Sequence, residues 1–326
     1  MTVIVLRKKK LYIILFIVLL AIIGFGIHKY KEKQPNLLMG GNYNIYECEY
    51  NESETINQDN EVDSEKYFRP SKLPILNNRP FDFNNTYNKN IEEIKLPDKM
   101  LKTPEDTIIN YFSILREAAN PTDKEYAGCG TLGEAKIPYP VAYNFLDKSY
   151  QDRLPYKKYL KSFENILHTN LIKVKQVPTD ENHPKDLKYF VEIETIEGSK
   201  SGQGYFGYYY GYIYLSENNG QYKISDIEYY GENYLCAPYH GWAYDAELSV
   251  DIRYGDWCNL IKERHPTEQE GYEKRVMFTG TDGNEYMILF FELTNGTDRE
   301  IAQYKKDENG NWKLIKLDPT KCIKKD

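Results

Sequence analysis

The apolar and polar positions of the chain change their period from one segment to the next. Residues 11–27 form an uncharged run of 17 residues, which as a helix rises about 26 Å, near the lower limit for a bilayer span. Residues 34–102 are rich in Asn, Glu and Pro, and this composition predicts a largely disordered stalk. Its short apolar islands at residues 73–76 and 81–83 either pack on the following domain or belong to the linker.

Helical periodicity begins at Thr103. The sequence Thr-Pro-Glu-Asp supplies an N-cap, a proline at the first helical position and an early acid, so a helix is predicted to about Ala118. Two more helices are predicted at residues 141–150 and 155–167. The period then changes to two, which predicts strands at residues 171–177, 187–196, 205–215 and 221–229. Helices followed by an antiparallel meander predict an α+β domain over residues 103–234, with helices on one face of a curved sheet.

A second, smaller α+β domain is predicted for residues 235–320. Strand patterns at residues 274–279, 285–293, 300–306 and 311–317 are separated by Asn-Gly and Gly-Asn turns. Residues 240–260 fit a helix or, in part, a strand. The sequence from Asn219 to Ile224 matches that from Asn309 to Leu314, which indicates a weak, partial internal repeat.

Positive charge flanks the apolar run at the start of the chain. Four basic residues in segment 1–10 precede it and three lysines follow it, so the positive-inside rule favours a cytoplasmic N-terminus. A cleaved signal peptide is the rival interpretation, but residues 24–28 do not form a small-residue cleavage site. The sequence therefore predicts a signal anchor and a single-pass protein of the bacterial cell membrane with its C-terminal domains outside the cell.

The remaining chain is acidic. The whole sequence carries a net charge of -7, and beyond residue 33 the net charge is about -13, which disfavours nucleic-acid binding. The partners predicted are therefore the membrane, through the N-terminal helix, and another protein. Five cysteines without a Cys-x-x-Cys spacing predict no metal site, and a bridge between Cys236 and Cys258 is weighed against two unpaired thiols. No cofactor is predicted.

The most unusual segment is residues 202–215, GQGYFGYYYGYIYL. As a strand, it places Tyr208, Tyr210, Tyr212 and Tyr214 on one face. Such a ladder of tyrosines suits the binding of a glycan or a peptide, although packing in the core of a curved sheet is favoured over binding.

A second candidate cluster contains His240, Trp242 and Asp245. General acid–base chemistry would need the imidazole within hydrogen-bond reach of a carboxylate in a pocket. A surface or interdomain polar cluster is the favoured interpretation. We predict no catalytic residues.

The capped helix beginning TPEDTIINYF, the YNFL segment, the YKKYLKSF helix and the NGQYKI hairpin together resemble the NTF2-like superfamily over residues 103–230, and more weakly over 235–320. The resemblance implies a cone of helices packed on a curved antiparallel sheet. It also implies either a membrane-anchored accessory subunit, as in conjugation or secretion assemblies, or a domain that uses the cone pocket.

Two hypotheses follow, because a fold does not define a function. The first is a non-catalytic extracellular scaffold that makes protein contacts. The second is a domain that encloses a small ligand or glycan, or an enzyme of the isomerase or dehydratase type. A deep polar pocket would favour the second.

Overall fold

The computed structural model describes residues 36–44, 71–128, 133–232 and 241–323. The chain divides into two compact units, residues 1–37 and residues 38–326. Nearly all the described residues belong to the second unit, which contains two β-sheets.

The first sheet contains the longest strands. After the short strand β1 (Asn36–Leu38), strands β2 to β6 follow the order β2-β6-β5-β4-β3. Strand β2 pairs in parallel with β6, whereas the pairs β3–β4, β4–β5 and β5–β6 are antiparallel. The strands are β2 (Gly41–Asn44), β3 (Ile166–Val177), β4 (Leu187–Glu197), β5 (Tyr205–Asn218) and β6 (Gln221–Gly231). The hairpin assigned to the NGQYKI segment is confirmed, because β5 and β6 are joined by a turn with positive φ at Asn219 and Gly220.

The helices are shorter than the sequence predicts. They are α1 (Pro104–Arg116), α2 (Pro138–Tyr143), α3 (Lys148–Arg153) and α4 (Tyr156–Lys161), with 3-10 turns at Phe83–Asn85, Ile91–Glu93 and Asp98–Leu101. The predicted cap of α1 is confirmed, because the Thr103 side chain accepts a hydrogen bond from Asp106 N.

The predicted fold class, an α+β NTF2-like cone, is wrong. Strands make up 38% of the structure and helices make up 24%, and the described helices form no cone. The helix predicted at residues 155–167 ends at Lys161. Its last apolar positions, Ile166 and Leu167, begin strand β3 instead, because an apolar pair can be buried by a strand as well as by a helix.

One face of the first sheet is covered by the helices and by the chain that precedes them. Ile213 of β5 and Ile114 of α1 are fully buried in this core. The described parts of the predicted stalk contribute to it, since Met39, Phe83 and Ile94 are buried there. The apolar island around Phe83 therefore packs on the core.

The second sheet is smaller and has the order β12-β11-β10-β9-β7, with β8 paired to β9. Helix α5 (Ala246–Val250) continues into a π-helix (Asp251–Trp257), and both pack on the second sheet. A disulfide joins Cys258 to Cys322; Cys236, the partner considered from the sequence, lies outside the described residues. The strands are β7 (Ile261–Arg264), β8 (Glu268–Glu270), β9 (Glu273–Gly280), β10 (Glu285–Glu292), β11 (Asp298–Lys306) and β12 (Trp312–Ile315), with 3-10 turns at Trp242–Tyr244 and Pro319–Cys322.

The two sheets share an intersheet cluster. Val177, Phe190 and Tyr210 of the first sheet pack with Phe291 of β10 and with Leu293, which directly follows β10. The rings of Phe190 and Phe291 meet edge to face with centroids 5.1 Å apart. The face of the first sheet opposite the helices is thus used for contact with the second sheet.

A membrane-spanning segment is not found in the described part of the chain, where no helix is both long and apolar enough to cross a bilayer. The predicted signal anchor and the predicted cell-membrane location are therefore not borne out by the described residues. Residues 11–27, on which both predictions rest, lie outside the described residues.

Candidate functional site

The tyrosine-rich face of β5 points away from the helices. Because strand side chains alternate, Ile213 lies in the helix-covered core whereas Tyr210 belongs to the intersheet cluster. The ladder predicted from the sequence is therefore largely enclosed, and Tyr208, Tyr210 and Tyr214 are each at most 5% exposed. On the same face, Phe206 at the start of the strand is strongly exposed.

An intersheet cleft of about 270 Å³ opens beside these rings. Its walls come from different parts of the chain, so that side chains distant in sequence face one another. The aromatic wall is formed by β5 and β6, and the polar wall mainly by the π-helix and β11. The lining residues are Tyr210, Tyr212, Tyr230, Ala243, Arg253, Phe290, Asp298, Arg299 and Glu300.

The aromatic wall is a packed group of rings. Tyr210 stacks on Tyr230, with centroids 5.1 Å apart and planes 16° apart. Tyr212 meets Tyr230 edge to face at 6.4 Å, and Lys188 Nζ lies 4.1 Å from the centre of the Tyr212 ring. These contacts hold the rings in fixed orientations, which suits an aromatic binding surface.

The polar wall contains an ion pair supported by neutral hydrogen-bond donors. Arg253 Nη1 lies 3.3 Å from Glu300 Oε2. The other oxygen of Glu300 accepts hydrogen bonds from Tyr254 OH at 3.1 Å and Gln303 Nε2 at 2.7 Å. Burial, together with the charge of Glu300, raises the pKa of Tyr254 above its ordinary value. Tyr254 therefore acts as a neutral donor that holds the carboxylate in place.

Two further charged groups complete this wall. Arg299 places its guanidinium 5.2 Å from the ring centres of both Tyr210 and Tyr244, in the range of cation–π contacts. Asp298 is buried; it accepts from Ala246 N at 2.9 Å and lies 2.8 Å from Lys274 Nζ. Burial raises its pKa, and the hydrogen bonds from Lys274 and Ala246 oppose that rise.

The structure brings some of the predicted site residues together and separates others. Tyr210 and Tyr212 line the cleft. Tyr208 donates to Glu194 at 2.9 Å, and Tyr214 donates to Asp180 at 2.7 Å. These two tyrosines bind carboxylates of β4 and of the loop that precedes it, and they are absent from the cleft lining.

Of the second predicted cluster, the structure describes Trp242 and Asp245. Asp245 caps α5, where its Oδ1 accepts from Leu248 N at 2.9 Å. Trp242 lies beside the cleft, with Arg253 5.7 Å from its ring centre and Trp257 packed edge to face. His240 lies outside the described residues.

A histidine clamp, formed by His183 between two carboxylates, is not predicted from the sequence. His183 Nδ1 lies 3.3 Å from Asp180 Oδ1, and its Nε2 lies 3.2 Å from Asp226 Oδ2. The ring also stacks on Tyr214 at 3.8 Å. Asp180 and His183 form a local Asp-x-x-His pattern, but Asp226 is 43 residues away and no local signal indicates it. With both nitrogens engaged by carboxylates, the imidazole fastens its loop to β6.

Neither metal-binding side chains nor related proteins identify what this site binds. Within the described ranges, no group of three or more His, Cys, Asp or Glu side chains is placed to hold a metal ion. Comparisons with protein-family models, curated proteins and solved structures find no match to this chain.

Proposed function

We propose that this chain is a non-catalytic binding protein whose intersheet cleft takes a small polyhydroxylated ligand, such as a single sugar unit. The observation that carries the proposal is the pairing of two unlike walls. The rings of Tyr210, Tyr212 and Tyr230 face the ion pair of Arg253 and Glu300 across about 270 Å³.

The two walls match the two kinds of surface of a sugar ring. Its C–H faces are apolar and pack on aromatic rings. Its hydroxyl groups both donate and accept, so they suit a carboxylate acceptor such as Glu300 beside a guanidinium donor such as Arg253. The cleft volume lies just below the usual range for ligand pockets, about 300–1,000 Å³, and this size favours one ring over a longer chain.

The contacts of the cleft carboxylates favour a binding role over a catalytic one. Glu300 is held by Arg253, Tyr254 and Gln303, and Asp298 is held by Lys274. A general acid or base needs a proton that it can exchange with the substrate. Groups fixed by cations and donors in this way act as hydrogen-bonding partners.

The test is a titration followed by NMR, with glucose, N-acetylglucosamine and glucuronic acid as probes. At about 0.3 kcal/mol per heavy atom, one sugar ring should bind with a Kd on the order of 1 mM. Tyr212→Ala and Glu300→Gln should each weaken binding about tenfold. Tyr304→Ala, a tyrosine of β11 outside the cleft lining, is the matched control and should bind as wild type does.

Two results would reject the proposal. One is the failure of all three probes to shift any resonance of the folded protein. The other is equal binding by wild type and by a folded Tyr212→Ala variant, because the ligand would then lie elsewhere.

A protein-contact role is the second candidate, favoured by an exposed aromatic edge at the start of β5. Tyr126, Tyr205 and Phe206 are 43%, 48% and 41% exposed. The Tyr126 ring lies against Gly202, so the three side chains are at the same end of the sheet, with Tyr205 and Phe206 on its opposite faces. Exposed aromatic side chains are enriched at protein interfaces. Loss of a co-purified partner in Phe206→Ser but not in Tyr212→Ala would support this role.

A further inference from the structure

A second concave surface lies on the helical side of the first sheet, where residues 79–100 pack against the start of α1. It is a groove of about 630 Å³. Its floor is apolar, with Phe81 half-buried and Ile94 and Met100 buried. We call this surface the basic groove.

The framework of the basic groove is held by the side chains of α1. Asn110 Nδ2 donates to Met100 O at 3.0 Å, and its Oδ1 accepts from Arg79 Nη1 at 3.1 Å. Arg79 Nη2 also lies 2.7 Å from Asp106 Oδ1. Because Arg79 and Asn110 are used in these contacts, they fix the groove's shape.

The side chains that line the groove carry more positive than negative charge. Lys89, Lys95 and Lys99 line the groove and are exposed. In the part of the chain that the structure describes, none of the three lies within ion-pair distance of a carboxylate. Asp82 is the single acid among the lining residues, and its side chain caps the turn at Phe83–Asn85. This concentration of lysines contrasts with the net charge of -7 for the whole chain.

We propose that the basic groove binds an acidic peptide segment that carries an apolar anchor residue. Three lysines around the groove favour several carboxylates spaced along an extended chain, since opposite charges across an interface give specificity and raise the association rate. The apolar floor of Phe81, Ile94 and Met100 suits one buried aliphatic or aromatic side chain, which gives affinity. A polyphosphate backbone offers no such apolar anchor.

The experiment measures fluorescence anisotropy with the full chain and a labelled twelve-residue peptide of alternating Glu and Leu. We expect saturable binding that weakens as salt is raised, because the exposed charges are screened. The variant Lys89→Gln/Lys95→Gln/Lys99→Gln should bind at least about tenfold more weakly. Its matched control, Lys157→Gln/Lys158→Gln/Lys161→Gln, removes three lysines from α4 and should bind as wild type does.

Two further peptides test which features the basic groove recognises. A peptide with Gln in place of Glu, and polyglutamate without Leu, should each bind more weakly than the Glu–Leu peptide. Tyr212→Ala in the cleft should leave peptide binding unchanged, so a failure of this proposal is distinguishable from a failure of the sugar site.

Several outcomes would overturn the proposal. These are no peptide binding up to about 1 mM, equal losses in the groove variant and the α4 control, or equal binding of the Gln peptide. Binding of duplex DNA or phosphatidylserine vesicles that depends on the three groove lysines, with no effect of those lysines on peptide binding, would assign the surface to a different partner. Circular dichroism of each variant shows that it is folded.

Discussion

Lys173 and Glu192 place opposite charges where water has almost no access, since their side chains are 3% and 0% exposed. The ammonium lies 2.5 Å from Glu192 Oε2 and donates to Glu292 O at 2.6 Å, while Glu192 Oε1 accepts from Thr294 N at 2.8 Å. The pair therefore connects β3 and β4 with the end of β10 and the turn after it. Removing one charge leaves the other buried without compensation.

We expect Lys173→Met to lower the free energy of unfolding by about 3–5 kcal/mol, measured by urea denaturation. Lys175→Met is the matched control from the same strand. Its ammonium pairs with Glu273 at 2.6 Å but is 49% exposed, so its loss should cost less than about 1 kcal/mol. The double variant Lys173→Met/Glu192→Leu should recover part of the loss. A cost for Lys173→Met as small as that for Lys175→Met would contradict this account.

In the histidine clamp, Asp180 is the group whose protonation lowers the stability of the folded state in acid. Burial alone would raise the pKa of this carboxyl, but hydrogen bonds from Lys188, Tyr214 and His183 hold it well below its ordinary value. A carboxyl with a lowered folded-state pKa contributes stability above its unfolded pKa, which is about 3.9 for Asp, and loses that stability as the pH falls toward the folded value.

Acidification from about pH 5 to pH 2 should therefore reduce the unfolding free energy, and Asp180→Asn should make that decline shallower. The measurement is urea denaturation at a series of pH values. Asp123→Asn, at an exposed position, should leave the slope unchanged. If Asp180→Asn keeps the wild-type slope, the clamp does not contribute to acid sensitivity.

Strand β5 approaches β6 very closely at Gly211. A Cβ at this position would lie 2.0 Å from Glu228 O, a backbone atom that cannot move without shifting β6. Gly211→Ala should destabilise the protein by about 1–3 kcal/mol, the usual cost of inserting an extra carbon into a packed core. Thermal and urea unfolding both report this loss.

Gly241→Ala is the control for a simple glycine effect, because nothing lies within 4 Å of its Cβ position. It should be close to neutral in the same measurements. Equal stabilities of the two variants would mean that β5 and β6 separate at little cost.

Strands are more predictable from this sequence than helices, for a physical reason. Alternation along residues 205–215 and 221–229 depends on neighbours within one strand and is sufficient to find β5 and β6. The apolar stripe at residues 155–167 fits a helix equally well, and pairing with β4 is what makes its end a strand. The parallel pairing of Asn42 with Glu228 joins distant positions, which local patterns do not encode.

For the candidate site, the sequence predicts one wall of the cleft, the aromatic wall, and does not predict the polar wall. Alternation places Tyr210 and Tyr212 on the same face, and the structure has them in one wall of the cleft. The facing residues Arg253 and Glu300 come from the π-helix and β11, which follow the first sheet in the chain. Strand alternation shows which side chains share a face, but it does not show what packs against that face.

At the scale of the whole molecule, an apolar cluster and a buried ion pair connect the two sheets. Phe291 is 1% exposed and meets both Phe190 and Tyr272 edge to face, at 5.1 and 5.2 Å. All three tryptophans of the chain, Trp242, Trp257 and Trp312, belong to the part around the second sheet. Tryptophan fluorescence therefore reports on that part, whereas far-UV circular dichroism also reports on the long strands of the first sheet.

In the wild type we expect the two signals to change together during urea denaturation, because a shared core couples the sheets into one cooperative transition. Phe291→Ala removes the ring that the two sheets share and should cost about 3–5 kcal/mol. It should also separate the signals, with fluorescence changing at the lower urea concentration. Phe278→Ala removes an equally buried ring from the second sheet's own core, so it should move both signals together. If Phe291→Ala shifts the two signals by the same amount, the ion pair of Lys173 and Glu192 is sufficient to couple the sheets.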